Sequence, residues 1–150
     1  MSEQNPRPPA RLRALVSWQA NKVATLGARL TLQRMPATAR ADFAVLAALA
    51  EYGDLSQADI GRHLGLDRND VSGIVTRLEA GAEVARRSEP GDRRRNVVVL
   101  VDAGAHRLDE LQRQAEEVQD ELLRDLAPAE REQLIALLDR VLSEHGALRA

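Results

Sequence analysis

The chain has 150 residues, 44% of them hydrophobic and 2% aromatic, with no cysteine and a formal net charge of −2. That is enough apolar material for one compact domain and argues against wholesale disorder, while the missing cysteine excludes disulfides, thiol nucleophiles and thiolate metal sites. With Trp18, Phe43 and Tyr52 as its sole aromatics, the core has to be built from Leu, Val and Ala, which favours helices over a sandwich or barrel.

Residues 1–10 are polar and Pro-rich, lack the apolar centre of a signal peptide, and read as a flexible tail. No apolar run approaches the roughly 20 residues needed to span a bilayer, so a cytoplasmic protein with no membrane partner is expected. Leu12, Leu15, Val16, Val23, Leu26 and Leu30 recur at helical spacing and predict one helix over about 11–34, ended by Met35-Pro36. A second helix is expected from Thr38 to Tyr52, with Gly53 as its stop. Ser56 and Asp59 mark the start of a short third helix and Gly65 its left-handed end. Asp67 caps a fourth, whose inward face is Val71, Ile74, Val75 and Leu78 and whose end is Gly81. The period then changes: residues 84–87 and 96–101 look extended, and the turn-rich stretch 88–92 between them makes a hairpin. Leu108, Leu111, Ala115, Val118 and Leu122 step by three and four along a fifth helix. Pro128 opens a last one carrying Leu134, Leu137, Leu138, Val141 and Leu142.

The near-zero net charge hides a separation of sign. Residues 1–40 hold seven basic side chains against Glu3, residues 86–95 hold five arginines against Glu89 and Asp92, and residues 109–144 hold eleven acids against four bases. Local field, not net charge, is what a phosphate backbone feels, although solvated helix faces are the plainer account of charge taken alone. The two short helices joined at 64–67 have the length and turn of a helix-turn-helix. The second of them leaves Arg68, Asn69, Ser72, Gly73, Thr76 and Arg77 for the outside, groups able to reach base edges and phosphates in a major groove. Arg93, Arg94 and Arg95 near the hairpin tip suit a narrow minor groove, and Asp92 would hold one of them in place by a charge-assisted hydrogen bond.

Residues 77–79, 84–86, Asp92-Arg93-Arg94 and 100–104 resemble the signature of the MarR family, and the order of helices resembles that family over about residues 11–145. The resemblance implies a mainly α, winged helix-turn-helix fold with a two-stranded β wing. The winged unit would occupy about 38–101 and the dimerisation helices about 11–34 and 102–146, all within a single domain over 11–150. It further implies a homodimer on palindromic double-stranded DNA, usually as a repressor, and in many members release by a small aromatic or phenolic effector. By position, the helix from Asp67 resembles the major-groove helix, Asp92 and Arg94 the Asp-x-Arg pair of the wing. The sequence departs from the family at three places. Ala82-Glu83 replaces Gly-Leu, which leaves Glu83 exposed or shifts the helix end by one residue. Asn69-Asp70 replaces two small hydroxyl residues, so Asp70 either faces inward or rejects some DNA sequences. Val101 replaces a threonine, so Asp102 is expected to cap the fifth helix.

Leu12, Leu15, Val16, Leu111, Val118, Leu122, Leu134, Leu138 and Val141 are expected at the dimer interface, the alternative for the 108–122 stripe being the core of one subunit. Trp18 either packs in that seam or walls an effector pocket with Arg13, Asn21, Phe43 and His106, of which His106 reads more simply as a surface residue. His63, His106 and His145 have no metal-ligand spacing, no Gly-rich phosphate loop or nucleophile motif is present, and neither enzyme activity nor a cofactor is expected. The competing function is a winged-helix module that docks a protein, which the acids Asp70 and Glu83 would favour.

Overall fold

The structure, a computed structural model, describes residues 6–89 and 91–146, without the side chains of Glu89, Arg93, Arg94 and Arg95. The element order is α1 (Ala10–Arg13), α2 (Val16–Arg34), α3 (Ala39–Tyr52), α4 (Gln57–Leu64), α5 (Arg68–Ala80), β1 (Val84–Glu89), β2 (Asp92–Leu100), α6 (Asp102–Leu122) and α7 (Pro128–Glu144).

The expected first helix is broken in two. Leu15 is extended between α1 and α2, and the Gln19 side-chain amide donates to the Arg13 carbonyl that the break exposes, at 3.0 Å. Pro36 ends α2 as expected, because its ring forbids the helical region to Met35, which is extended. Ser56 Oγ accepts from the Asp59 N–H at 3.1 Å, and Asp67 Oδ1 accepts from the Asp70 N–H at 2.9 Å, so α4 and α5 each start on a side-chain cap. Gly65, at φ 64°, makes the left-handed turn between them.

The left-handed residue at the end of α5 is Ala82, φ 55°, while Gly81 takes a negative φ. A Cβ in that region costs roughly 1 kcal/mol, so Ala82→Gly is expected to stabilise the protein by about 1 kcal/mol. A chemical denaturation midpoint that stays put or falls would refute this. Glu83 is half-buried rather than exposed, held by Arg107 at 3.4 Å. At α6 the N-cap is Val101 without a side-chain bond, and Asp102 is the first helical residue; its expected capping role is corrected to that of an acid in the first turn, where the helix dipole favours it.

The wing pairs β1 with β2 antiparallel, Val84 opposite Leu100 through Ser88 opposite Asn96, with an irregularity before Glu89 meets Asp92. Both strands run further toward the tip than the sequence pattern predicts. Leu55, between α3 and α4, exchanges two backbone hydrogen bonds with Val98, at 3.2 and 2.7 Å, and docks the helix-turn-helix on the base of the wing. A single core joins these parts. Val45, Leu46, Ile60, Val71, Val75, Leu78 and Val98 are fully buried in it, and Leu111 and Val118 of α6 extend it toward α2.

The α6 stripe therefore belongs to the subunit. Leu111 and Val118 are each 2% exposed in the isolated chain, so placing these two at a dimer interface is corrected; Leu108 and Leu122 pack against the same cluster but are half-buried. Helical periodicity marks a buried face but not which molecule covers it. Leu12, Leu15, Val16, Leu138 and Val141 are exposed, Leu134 is half-buried, and no residue of α7 is buried. No helix of the described residues is long and apolar enough to cross a membrane.

Candidate nucleic-acid interface

Buried Val71, Ile74, Val75 and Leu78 fix how α5 faces the core. At about 100° per residue the opposite side is the line of Asn69, Gly73, Thr76 and Ala80, all exposed. Arg68 is exposed and Ser72 half-buried on one flank, Asp70 and Arg77 exposed on the other. An added Cβ at Gly73 would meet nothing within 4 Å, so nothing inside the subunit requires a glycine there.

Concave surfaces border this ridge on both sides. Toward the wing, Ser72 shares a polar notch with Gln57, Arg86 and Asn96. Arg86 of β1 donates to Thr76 Oγ1 at 3.2 Å and lies 3.5 Å from Glu79, which fastens the base of the hairpin along α5. Toward α3, Asn69, Asp70, Gly73 and Arg77 line a groove with Thr38 and Arg40. The expected minor-groove residues Arg93, Arg94 and Arg95 lie on β2 next to the Gly91 turn, but their side chains lie outside the described residues. Asp92 is exposed at the start of that strand.

Arg77 is not idle on the surface. Its guanidinium donates to Asp42 Oδ1 of α3, a pairing that sequence reading missed because 35 residues separate the two. Asp42 is 5% exposed and also faces Arg107 at 3.9 Å.

A separate cavity of about 150 Å³ lies between the end of α2, the start of α3 and α6, lined by Thr31, Met35, Ala39, Arg40, Phe43, Leu111, Ala115, Val118 and Gln119. Of the five expected pocket residues only Phe43 reaches it. Arg13 donates to the Pro8 carbonyl at 3.0 Å, Trp18 is covered by the Lys22 ammonium at 5.3 Å, and Asn21 and His106 are exposed elsewhere. The grouping of Arg13, Trp18, Asn21 and His106 with Phe43 is corrected for the subunit: Trp18 sits on α2 more than three turns before Thr31, the α2 residue that lines the cavity. The cation at the cavity is Arg40, which the sequence places three residues before Phe43 and hence on the same helical face.

A helix-turn-helix with its second helix exposed, a hairpin fastened beside it and long flanking helices define the winged helix-turn-helix class. The MarR family model matches residues 38–95. The repressor NicR of Pseudomonas putida is 33% identical over 100 residues, 67% of this chain and 63% of that protein, so the chain spans less than two thirds of that relative's length. A probable transcriptional regulator from Pseudomonas aeruginosa superposes with a TM-score of 0.75 at 29% identity, covering 87% of this chain and 99% of that one. BpsR of Bordetella bronchiseptica, whose DNA binding is regulated by 6-hydroxynicotinic acid, superposes with a TM-score of 0.73 at 28% identity, covering 84% and 97%. The chain belongs to the MarR family of transcriptional regulators.

Proposed function

We propose that the protein is a homodimeric, sequence-specific DNA-binding regulator, acting as a repressor on a palindromic operator. The observation that carries this is the outer face of α5: small and hydrogen-bonding side chains on an exposed helix, with a wing fixed along one flank. Asn69 and Thr76 would face base edges, Arg68 and Ser72 phosphates, and Arg93, Arg94 and Arg95 the adjoining minor groove, with Asp92 orienting them. Two subunits would meet through the exposed leucines and valines of the amino-terminal segment and α7, setting two α5 helices about 34 Å apart.

Gly73 offers the test. In free helix a glycine-to-alanine change stabilises by about 1 kcal/mol, and nothing in the subunit obstructs the methyl group. Against a DNA groove the same methyl would obstruct close approach. Gly73→Ala is therefore expected to raise the melting temperature while weakening operator binding about 10-fold, a cost of the order found for overpacking. Equal affinity in the stabilised variant would take this face of α5 off the DNA.

For the effector, the proposal is a small single-ring aromatic acid in the cavity of Arg40 and Phe43. A cavity near 150 Å³ admits one six-membered ring; Arg40 would pair the carboxylate, Phe43 the ring, and Thr31 and Gln119 ring substituents. BpsR supports this only as a relative, through the hydroxylated pyridine carboxylate that regulates its DNA binding. Such a ligand would release DNA only by binding better to a dimer whose α5 helices are misplaced.

A further inference from the structure

Among the described residues Asp42 is the only charged side chain that is buried. It sits in the first turn of α3, accepts from Arg77 of α5 on one oxygen and faces Arg107 of α6 at 3.9 Å on the other. Arg107 continues to Glu83, 3.4 Å away on the link between α5 and the wing. One carboxylate thus ties together α3, α5, α6 and the base of the hairpin.

Burying a carboxylate carries a desolvation penalty that its ion pairs do little more than offset, and apolar residues of similar volume usually do as well for stability. What an ion pair adds is geometry, because its strength depends on where its partners stand. We propose that Asp42 is a positioning residue for DNA reading: through Arg77 and Arg107 it sets α5 against α6, and Arg77 serves as the arm of this clamp instead of reading bases. The inference rests on the DNA-binding reading above. It also places the clamp beside the cavity, since Ala39 and Phe43 flank Asp42 on α3, and Leu111 follows Arg107 by one turn on α6. Widening the gap between α3 and α6 would pull on the Arg107 arm first.

The test compares affinity for a duplex selected by the parent protein with affinity for random duplex of equal length. Loss of folded protein lowers both affinities alike and leaves their ratio unchanged. A displaced α5 loses base contacts but keeps the phosphate attraction, so the ratio falls. Asp42→Asn keeps the shape of the side chain and removes its charge; Arg107→Gln cuts one arm at a partly solvated site and decides the matter should Asp42→Asn fail to fold. Each is expected to reduce the ratio about 10-fold while random-duplex affinity stays within about twofold. Arg77→Gln should do likewise with the salt slope of the parent. An unchanged ratio in folded Arg107→Gln and Asp42→Asn overturns the proposal, as does a slope smaller by about one in Arg77→Gln, the mark of a lost phosphate contact. Absence of any duplex binding by the parent would defeat the DNA reading itself, and the clamp with it.

Discussion

Replacing Leu138 and Val141 together by glutamate is expected to turn the proposed dimer into a monomer with a folded winged lobe and operator affinity lowered at least about 100-fold. Both side chains are exposed in the isolated subunit, at 42% and 53%, as are Ile135, Leu137 and Leu142 beside them. A helix with this many apolar side chains and none buried among the described residues is the surface that the proposed dimer would cover. The lobe, by contrast, has its own core from Leu30 to Val118, which α7 does not enter. Charge on α7 should therefore break association without melting the lobe. The loss in affinity is large because two half-sites bound together act at high effective concentration, and a monomer forfeits all of it. Sedimentation together with gel-shift titration checks this. A double variant that stays dimeric at micromolar concentration would move the interface elsewhere.

The second large effect is Gly104→Ala, expected to destabilise by about 3 kcal/mol, the upper part of the range for overpacking. Gly104 is buried in the first turn of α6, where an added Cβ would stand 1.9 Å from the Glu83 carbonyl oxygen and 2.7 Å from Leu100 Cδ1. The carbonyl belongs to backbone that also accepts from the Val101 N–H, so it cannot turn aside without losing that bond. Relief would require α6 to move off the base of the wing. A fall in Tm of roughly 10 °C is expected for a chain of this size; a shift of about a degree would mean the junction is loose. Gly73→Ala on the same chain should shift Tm upward, so the pair separates steric from helix-propensity effects.

Much of the winged unit was legible because its signals are local. Ser56, Gly65 and Asp67 act on backbone groups within four residues of themselves, and the Gly91 turn lies between two runs of extended pattern. What was not legible depends on distance or on small energy differences. The break at Leu15 has no Gly or Pro to announce it. The left-handed position fell on Ala82 with Gly81 adjacent, although glycine is the residue that local pattern favours there. The stripe of α6 has the same period whether it seals one subunit or joins two. Asp42 reads in sequence as an ordinary first-turn acid, and its partners lie 35 and 65 positions further on, so neither its burial nor its arginines could be inferred. Proximity to Trp18 along the chain points to Arg13, whereas the cation that lines the cavity is Arg40, carried by the next helix.

The most direct test of DNA reading by α5 and its wing is selection of bound sequences from a randomised duplex pool by the full chain. The expected result is an inverted repeat with half-site centres about one helical turn apart, bound with an affinity that falls steeply as salt rises. A pool that emerges unenriched, with no duplex retained even at low salt, would contradict the account and turn the exposed acid Asp70 and its neighbours toward a protein partner.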